Sequence, residues 1–299
     1  MDLNSCHPQY VGLLRKSYKL ILIGGLKSCR PFRWRPDRTI QGNSVKYQAR
    51  HSLMTAVVAA TLTACGGGGD DPAPVSTDRP EGVFGGKLTG STSSDFQMLV
   101  LENGELWSLY GVETPTTFGV AGFVQGTIGA TGTSFSSSNA RDYGFVPALV
   151  GSAAGTFNKA AGTISGTVSA GPQSVSFTGG PIAGSLYNYN SPASIAAVSG
   201  SWTLDSLAGD TIFLTVQVNG NLSATTTSGC NFTGAVTPRA SGKNVFDAAV
   251  TFGPSPCALP NQSASGIAVA YPISGGQTQL LVALQDSTRM VGTAAFGVR

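Results

Sequence analysis

Two Asn-Gly dipeptides, each set between apolar runs, constrain most strongly what this chain can fold into. Residues 96–102 (FQMLVLE) precede Asn103-Gly104, and residues 105–110 (ELWSLY) follow it. Residues 211–218 (TIFLTVQV) precede Asn219-Gly220, and Asn221-Leu222 follow. Asn-Gly in that setting is the strongest short-range hairpin signal, because a two-residue turn needs positive φ at both positions. In the second run Ile212, Leu214, Val216 and Val218 alternate with Thr215 and Gln217. That spacing predicts a half-buried strand with the four apolar side chains on one face. From Glu81 onward the chain is poor in helix formers and dense in Gly, Ser, Thr and β-branched residues. Short runs separated by turn residues predict an all-β, antiparallel domain.

The two hairpins are corresponding parts of an internal duplication. Downstream of them, Gly126-Thr127-Ile128 parallels Gly234-Ala235-Val236, and Ser165-Gly166-Thr167-Val168 parallels Ser265-Gly266-Ile267-Ala268. The three correspondences stand 116, 108 and 100 residues apart, in preserved order. The expected architecture is two tandem antiparallel β repeats, 81–190 and 191–299, built as small barrels or sandwiches. They are joined through residues 187–192 (YNYNSP) and form either two lobes or one merged unit. About a hundred residues each suffices for a thin core.

Upstream, residues 53–64 (LMTAVVAATLTA) carry no charge and close on Leu62-Thr63-Ala64-Cys65, with Gly66 to Gly69 directly after. The run is too short to span a bilayer, which takes about 20 apolar residues. It has the length of a signal-peptide apolar region, with Lys46, Arg50 and His51 as its basic flank. The motif resembles the lipobox of bacterial lipoproteins, in which Leu-x-Ala/Gly-Cys directs acylation of the thiol and cleavage before the cysteine. The resemblance implies a signal peptide at 45–64, a membrane anchor through acylated Cys65, and outer-membrane sorting, since Gly66 rather than Asp follows the cysteine. Residues 1–44 exceed any ordinary leader and are read as an untranslated or disordered extension, with Val45 as the start from a GTG codon. Residues 65–80, rich in Gly, Asp and Pro, form a flexible tether.

Of the 18 basic and 15 acidic residues, ten and two lie upstream of Cys65, so the chain beyond it keeps 8 and 13, a net charge near −5. No basic patch remains to attract nucleic acid. Both histidines, His7 and His51, also lie upstream. The exported chain therefore lacks the base of a Ser-His-Asp or Cys-His unit and any imidazole metal ligand. Cys6 and Cys29 leave with the leader, so Cys230 and Cys257 remain either as a disulfide, which an oxidising compartment favours, or as two buried thiols.

The polar candidates are few. Glu102 and Glu105 flank a hairpin turn as a glycosidase pair would, but charged residues beside a turn are usually only solvated. Arg141, Asp142 and Tyr143 make the most distinctive polar stretch, read either as a ligand-binding loop or as a turn tied by its own side chains. Pro238-Arg239 reads the same way. Trp107, Tyr110, Tyr187, Tyr189 and Trp202 are either core or a stacking surface, with Tyr187 and Tyr189 exposed in their Asn/Pro-rich link. No catalytic residue, metal site or cofactor is expected. A transmembrane barrel needs repeated lipid-facing segments near ten residues with aromatic girdles, which these short Gly/Thr-rich runs do not supply.

Segments such as Ser137-Ser138-Asn139-Ala140-Arg141-Asp142, Gly229-Cys230-Asn231-Phe232-Thr233-Gly234 and Pro256-Cys257-Ala258-Leu259-Pro260 are similar to ones in a group of proteobacterial lipoproteins with no established activity. In architecture alone, a lipid-tethered two-lobed β protein also resembles surface lipoproteins of the transferrin-binding and complement-factor-binding kind. The expected function is a non-enzymatic binding or adhesion module at the outer membrane, with a glycan or protein as its ligand. The alternatives are a periplasm-facing structural or envelope-assembly lipoprotein, and a carboxylate-dependent enzyme acting on glycans.

Overall fold

The structure, a computed structural model, describes residues 79–115, 117–182 and 184–299. The extension, the signal segment, Cys65 and the tether up to residue 78 lie outside the described residues. The described chain belongs to one compact unit, Gly68–Arg299. It is all-β: seventeen strands and two single turns of 3-10 helix among the described residues.

The first nine strands are β1 (Gly82–Thr89), β2 (Asp95–Val100), β3 (Glu105–Glu113), β4 (Phe118–Thr127), β5 (Gly129–Thr131), β6 (Ser134–Asp142), β7 (Leu149–Asn158), β8 (Thr163–Ala170) and β9 (Gln173–Gly180). They pair antiparallel in the order β4-β3-β2-β1-β9-β8-β7-β6-β5. A further pairing of β4 with β6, Val124 against Asp142 and Gln125 against Arg141, closes the sheet into an eight-stranded barrel with β5 as a spur. The second set is β10 (Gly200–Ser206), β11 (Thr211–Val216), β12 (Asn221–Thr226), β13 (Asn231–Pro238), β14 (Phe246–Phe252), β15 (Ser263–Pro272), β16 (Thr278–Asp286) and β17 (Gly292–Val298). It is likewise a closed eight-stranded barrel in sequential order. Closure removes the unpaired edges that an open sheet of such strands would present.

The Asn-Gly hairpins fall at the same place in each barrel, between the second and third strands, but their turns differ from the two-residue form. Leu101 accepts from Gly104 N–H, and the N–H of Leu101 reaches the carbonyl of Glu105. Gln217, Gly220 and Asn221 repeat that pattern. Gly104 (φ 86°) and Gly220 (φ 87°) alone take the left-handed conformation, while each asparagine's Oδ1 caps the N–H two residues on. These are three-residue loops of a type I turn followed by a bulge glycine. The extra residue draws Val218 out of β11 into the turn, 83% exposed, so only Ile212, Leu214 and Val216 line the expected face. The next correspondence also holds: Ile128 N–H donates to Gly104, and Val236 N–H to Gly220, both at 2.9 Å. The third does not, since Ser165-Gly166 lie on the seventh strand of their barrel and Ser265-Gly266 on the sixth.

Three apolar clusters result. Inside the first barrel lie Phe84, Phe96, Met98, Phe135, Phe157 and Phe177, with Phe96 and Phe177 edge to face at 5.6 Å. Inside the second lie Trp202, Leu204, Leu214, Phe246 and a set of alanines. Between the barrels Leu99, Trp107, Leu109, Phe123 and Tyr143 of the first meet Ile267, Leu281, Ala283 and Ala294 of the second. Strand β2 therefore buries both faces, Met98 and Val100 inward and Leu99 outward, which is why its run is continuous rather than alternating.

Candidate functional site

Of the residues singled out in the sequence, Glu102, Tyr143, Tyr187 and Tyr189 reach the second barrel, while Asp142 is held within the first. Asp142 accepts from the Tyr110 hydroxyl at 2.7 Å and from Gly144 N–H at 2.9 Å. Tyr143 is buried, stacks on Phe123 with ring centres 4.6 Å apart, and donates to Gln285 of β16. Burial pushes the Tyr143 phenol above its ordinary pKa. Arg141 is half-buried on β6, beside β4. Tyr187 is half-buried, stacks on Tyr271 and donates to the Asn244 carbonyl. Tyr189 is buried, its hydroxyl 3.5 Å from Glu102 and Lys243 lying over its ring. Neither tyrosine stands free in the link, and Trp107 and Trp202 are core, each 2% exposed.

Glu102 differs most from expectation. It is not a solvated turn residue: Arg239 Nε donates to it at 2.8 Å, and Arg239 Nη1 binds Asp247 at 2.6 Å. Burial works against the Glu102 carboxylate, but the Arg239 hydrogen bond and charge outweigh it and hold its pKa below the usual range. A depressed folded pKa contributes stability that is full above the ordinary value near 4.5 and is lost as pH falls through the folded value. Glu102→Gln should therefore cost about 1 kcal/mol near neutral pH, with the half-exposed geometry limiting the effect. Urea titrations at neutral pH and at pH 4 should show wild type losing more on acidification than the variant. Glu105 stands apart from this pair, against Trp107 Nε1 at 3.4 Å.

Two further seam residues gave no signal in the sequence. Gln279 of β16, 2% exposed, presents Oε1 to Phe118 N–H at 3.1 Å and Nε2 to Phe118 C=O at 2.8 Å. Its amide replaces a strand's missing neighbour at the start of β4. Arg289, in the β16–β17 turn at φ 58°, sends Nη2 to Gln125 Oε1 at 2.6 Å and to Asn139 C=O at 2.8 Å. Their partners are more than 140 residues away, so no local pattern could announce them.

The cavity with the geometry of a binding site is the interior of the second barrel. It encloses about 440 Å³ and is lined by Leu204, Ile212, Leu214, Val216, Leu222, Val236, Val250, Leu280 and Leu284, among others. Both barrels have eight strands, a size whose interior either fills with side chains or holds one small ligand. The difference lies in what points inward. Phenylalanines fill the first barrel. At comparable places in the second stand Ala248, Ala264, Ala268 and Ala295.

The polar residues of the chamber's lining gather at one end. The rim is formed by the turns at 207–210 and 227–230, the loop at 253–262 and the 143–146 segment of the first barrel, contributing Leu207, Asp210, Ser228, Leu259, Tyr143 and Val146. Cys230 and Cys257 form a disulfide with Cα atoms 4.6 Å apart and tie the second of those turns to the loop. At the opposite end Trp202 donates from Nε1 to Val198 C=O at 2.7 Å, with the Arg299 guanidinium 3.9 Å above its ring. Arg299 also donates to the carbonyls of Ser199 and Ala197, which holds the plug in place. Among the described residues no group of three His, Cys, Asp or Glu side chains is placed to hold a metal ion.

No family model matches the chain, and no curated protein does. Solved structures that are similar at low level include two. One is a DUF3598-family protein of unknown function from Nostoc punctiforme, at 12% identity and TM-score 0.24, covering 73% of this chain and 94% of that one. The other is the transferrin binding protein B of serogroup B Neisseria meningitidis, at 11% identity and TM-score 0.23. That match covers 69% of this chain, which spans about half, 52%, of the neisserial protein.

Proposed function

We propose that this protein is a non-enzymatic binding module of the bacterial envelope, anchored through acylated Cys65, whose second barrel takes up one small, largely apolar molecule. The observation that carries the reading is the open, alanine-lined chamber of about 440 Å³. Ligand pockets usually measure about 300–1,000 Å³, and their walls are mostly apolar. An interior left so unfilled beside a barrel packed with phenylalanine is best accounted for by an occupant.

The test is binding of a neutral fluorescent apolar probe, N-phenyl-1-naphthylamine, to the mature protein. One saturable site per chain is expected. At about 100 times Kd a ligand of the native state adds about 2.7 kcal/mol, which raises Tm by about 5–10 °C in a chain of this size. A linear, non-saturating signal with no thermal shift would count against the chamber as a site. The envelope address is read separately, from palmitate labelling lost in Cys65→Ser.

A further inference from the structure

We infer that the occupant is a single-chain amphiphile that enters tail first at the disulfide-bearing rim and leaves a cationic or uncharged head beside Asp210. The inference rests on the chamber being the binding site and adds which class of molecule it admits. The first argument is polarity along the axis. From Val198 and Leu280 outward the wall is apolar, while Ser206, Asp210, Thr226 and Ser228 appear only at the rim. A wholly apolar guest would leave those groups facing it, whereas an amphiphile matches tail to wall and head to rim.

The second argument is sign. Among the lining residues Asp210 is the charged one, and no Lys or Arg is present. Its Oδ1 and Oδ2 accept from the hydroxyls of Thr227 at 3.2 Å and Ser228 at 3.0 Å, which fix the carboxylate on the rim. Outside the lining, the charged residues beside that rim are Arg141 and Asp142 of β6, the latter bound by Tyr110 and Gly144, and Asp286 and Arg289 of the β16–β17 turn. Asp286 takes N–H bonds from Thr288, Met290 and Val291 of its own turn. Arg289 reaches away to Gln125 and Asn139 of the first barrel. An ammonium or hydroxyl head finds an acceptor at Asp210, while a carboxylate or phosphate head meets a like charge there and no cation among the lining residues. Apolar Leu259 and Val146, the latter 77% exposed, complete the entrance and receive the tail on its way in.

Three molecules with one twelve-carbon tail separate the heads: dodecylammonium, dodecanol and dodecanoate, used below their micellar range near neutral pH to displace N-phenyl-1-naphthylamine. Dodecylammonium and dodecanol should displace the probe at concentrations at least about tenfold below dodecanoate, as a rim charge in a partly screened setting dictates. Asp210→Asn should shrink the gap between the two charged heads to about threefold or less. Equal displacement by all three in wild type, or a gap that survives in Asp210→Asn, would overturn the inference while leaving the chamber a binding site. A probe that does not bind at all would instead remove the reading beneath it.

Discussion

Replacing Ala264 and Ala268 together by phenylalanine should abolish uptake of N-phenyl-1-naphthylamine, by at least about 100-fold or roughly 2.8 kcal/mol, while the protein stays folded. Both residues line the chamber from β15, four positions apart and therefore about 13 Å along the strand, so two rings enter at two levels. They would convert the interior to the state of the first barrel, where Phe96, Phe135 and Phe177 meet ring to ring. Overpacking a filled core costs about 1–3 kcal/mol, but filling a void recovers contacts that its lining had lacked. An unchanged or raised Tm with binding gone is the expected pair of results. Binding at wild-type affinity in a folded variant would place the probe elsewhere.

The chamber was hidden in the sequence for a physical reason. Alternation shows which side chains share a face, and the Ile212-Leu214-Val216 face was legible in that way. Whether the enclosed space is full depends on the summed volume of residues from eight strands. Ala264 and Ala268 look like ordinary small strand residues until closure sets them around one lumen. The hairpins were readable because their signal is local, yet even there the turn form was not. In these two turns the glycines, Gly104 and Gly220, take positive φ and the asparagines do not, and the added residue moved Val218 from core to surface.

The Arg141-Asp142-Tyr143 stretch shows the converse. Its density of polar and aromatic groups marked it as special, and the structure gives it long-range partners. Asp142 is bound by Tyr110, and Tyr143 by Gln285, 142 residues further along the chain. Glu102 follows the same logic, since Arg239 lies 137 residues away. A single sequence exposes chemistry-bearing residues but not the distant groups that satisfy them. Cys230 and Cys257 were the exception, because reading the other three cysteines as leader and anchor left one possible pair.

The seam between the barrels should respond most to Phe123→Ala. Phe123 is fully buried, stacked between Trp107 at 6.1 Å and Tyr143 at 4.6 Å. Opposite them the second barrel presents Gly266 and Gly292 among its apolar side chains. A Cβ on Gly292 would lie 2.4 Å from the Tyr143 ring and 2.8 Å from Phe123, and one on Gly266 2.9 Å from Trp107. The aromatic row of one barrel thus fills hollows that only glycine leaves open in the other. Truncating a buried phenylalanine costs about 3–5 kcal/mol through lost transfer energy and the cavity left behind. Here the cavity opens between two bodies that each keep a core of their own. Denaturation of the variant, followed by Trp202 fluorescence in a Trp107→Phe background and by far-UV circular dichroism, should therefore split into two transitions where wild type shows one. Coincident transitions would mean that the remaining bonds of Gln279 and Arg289 to the first barrel suffice to couple the two.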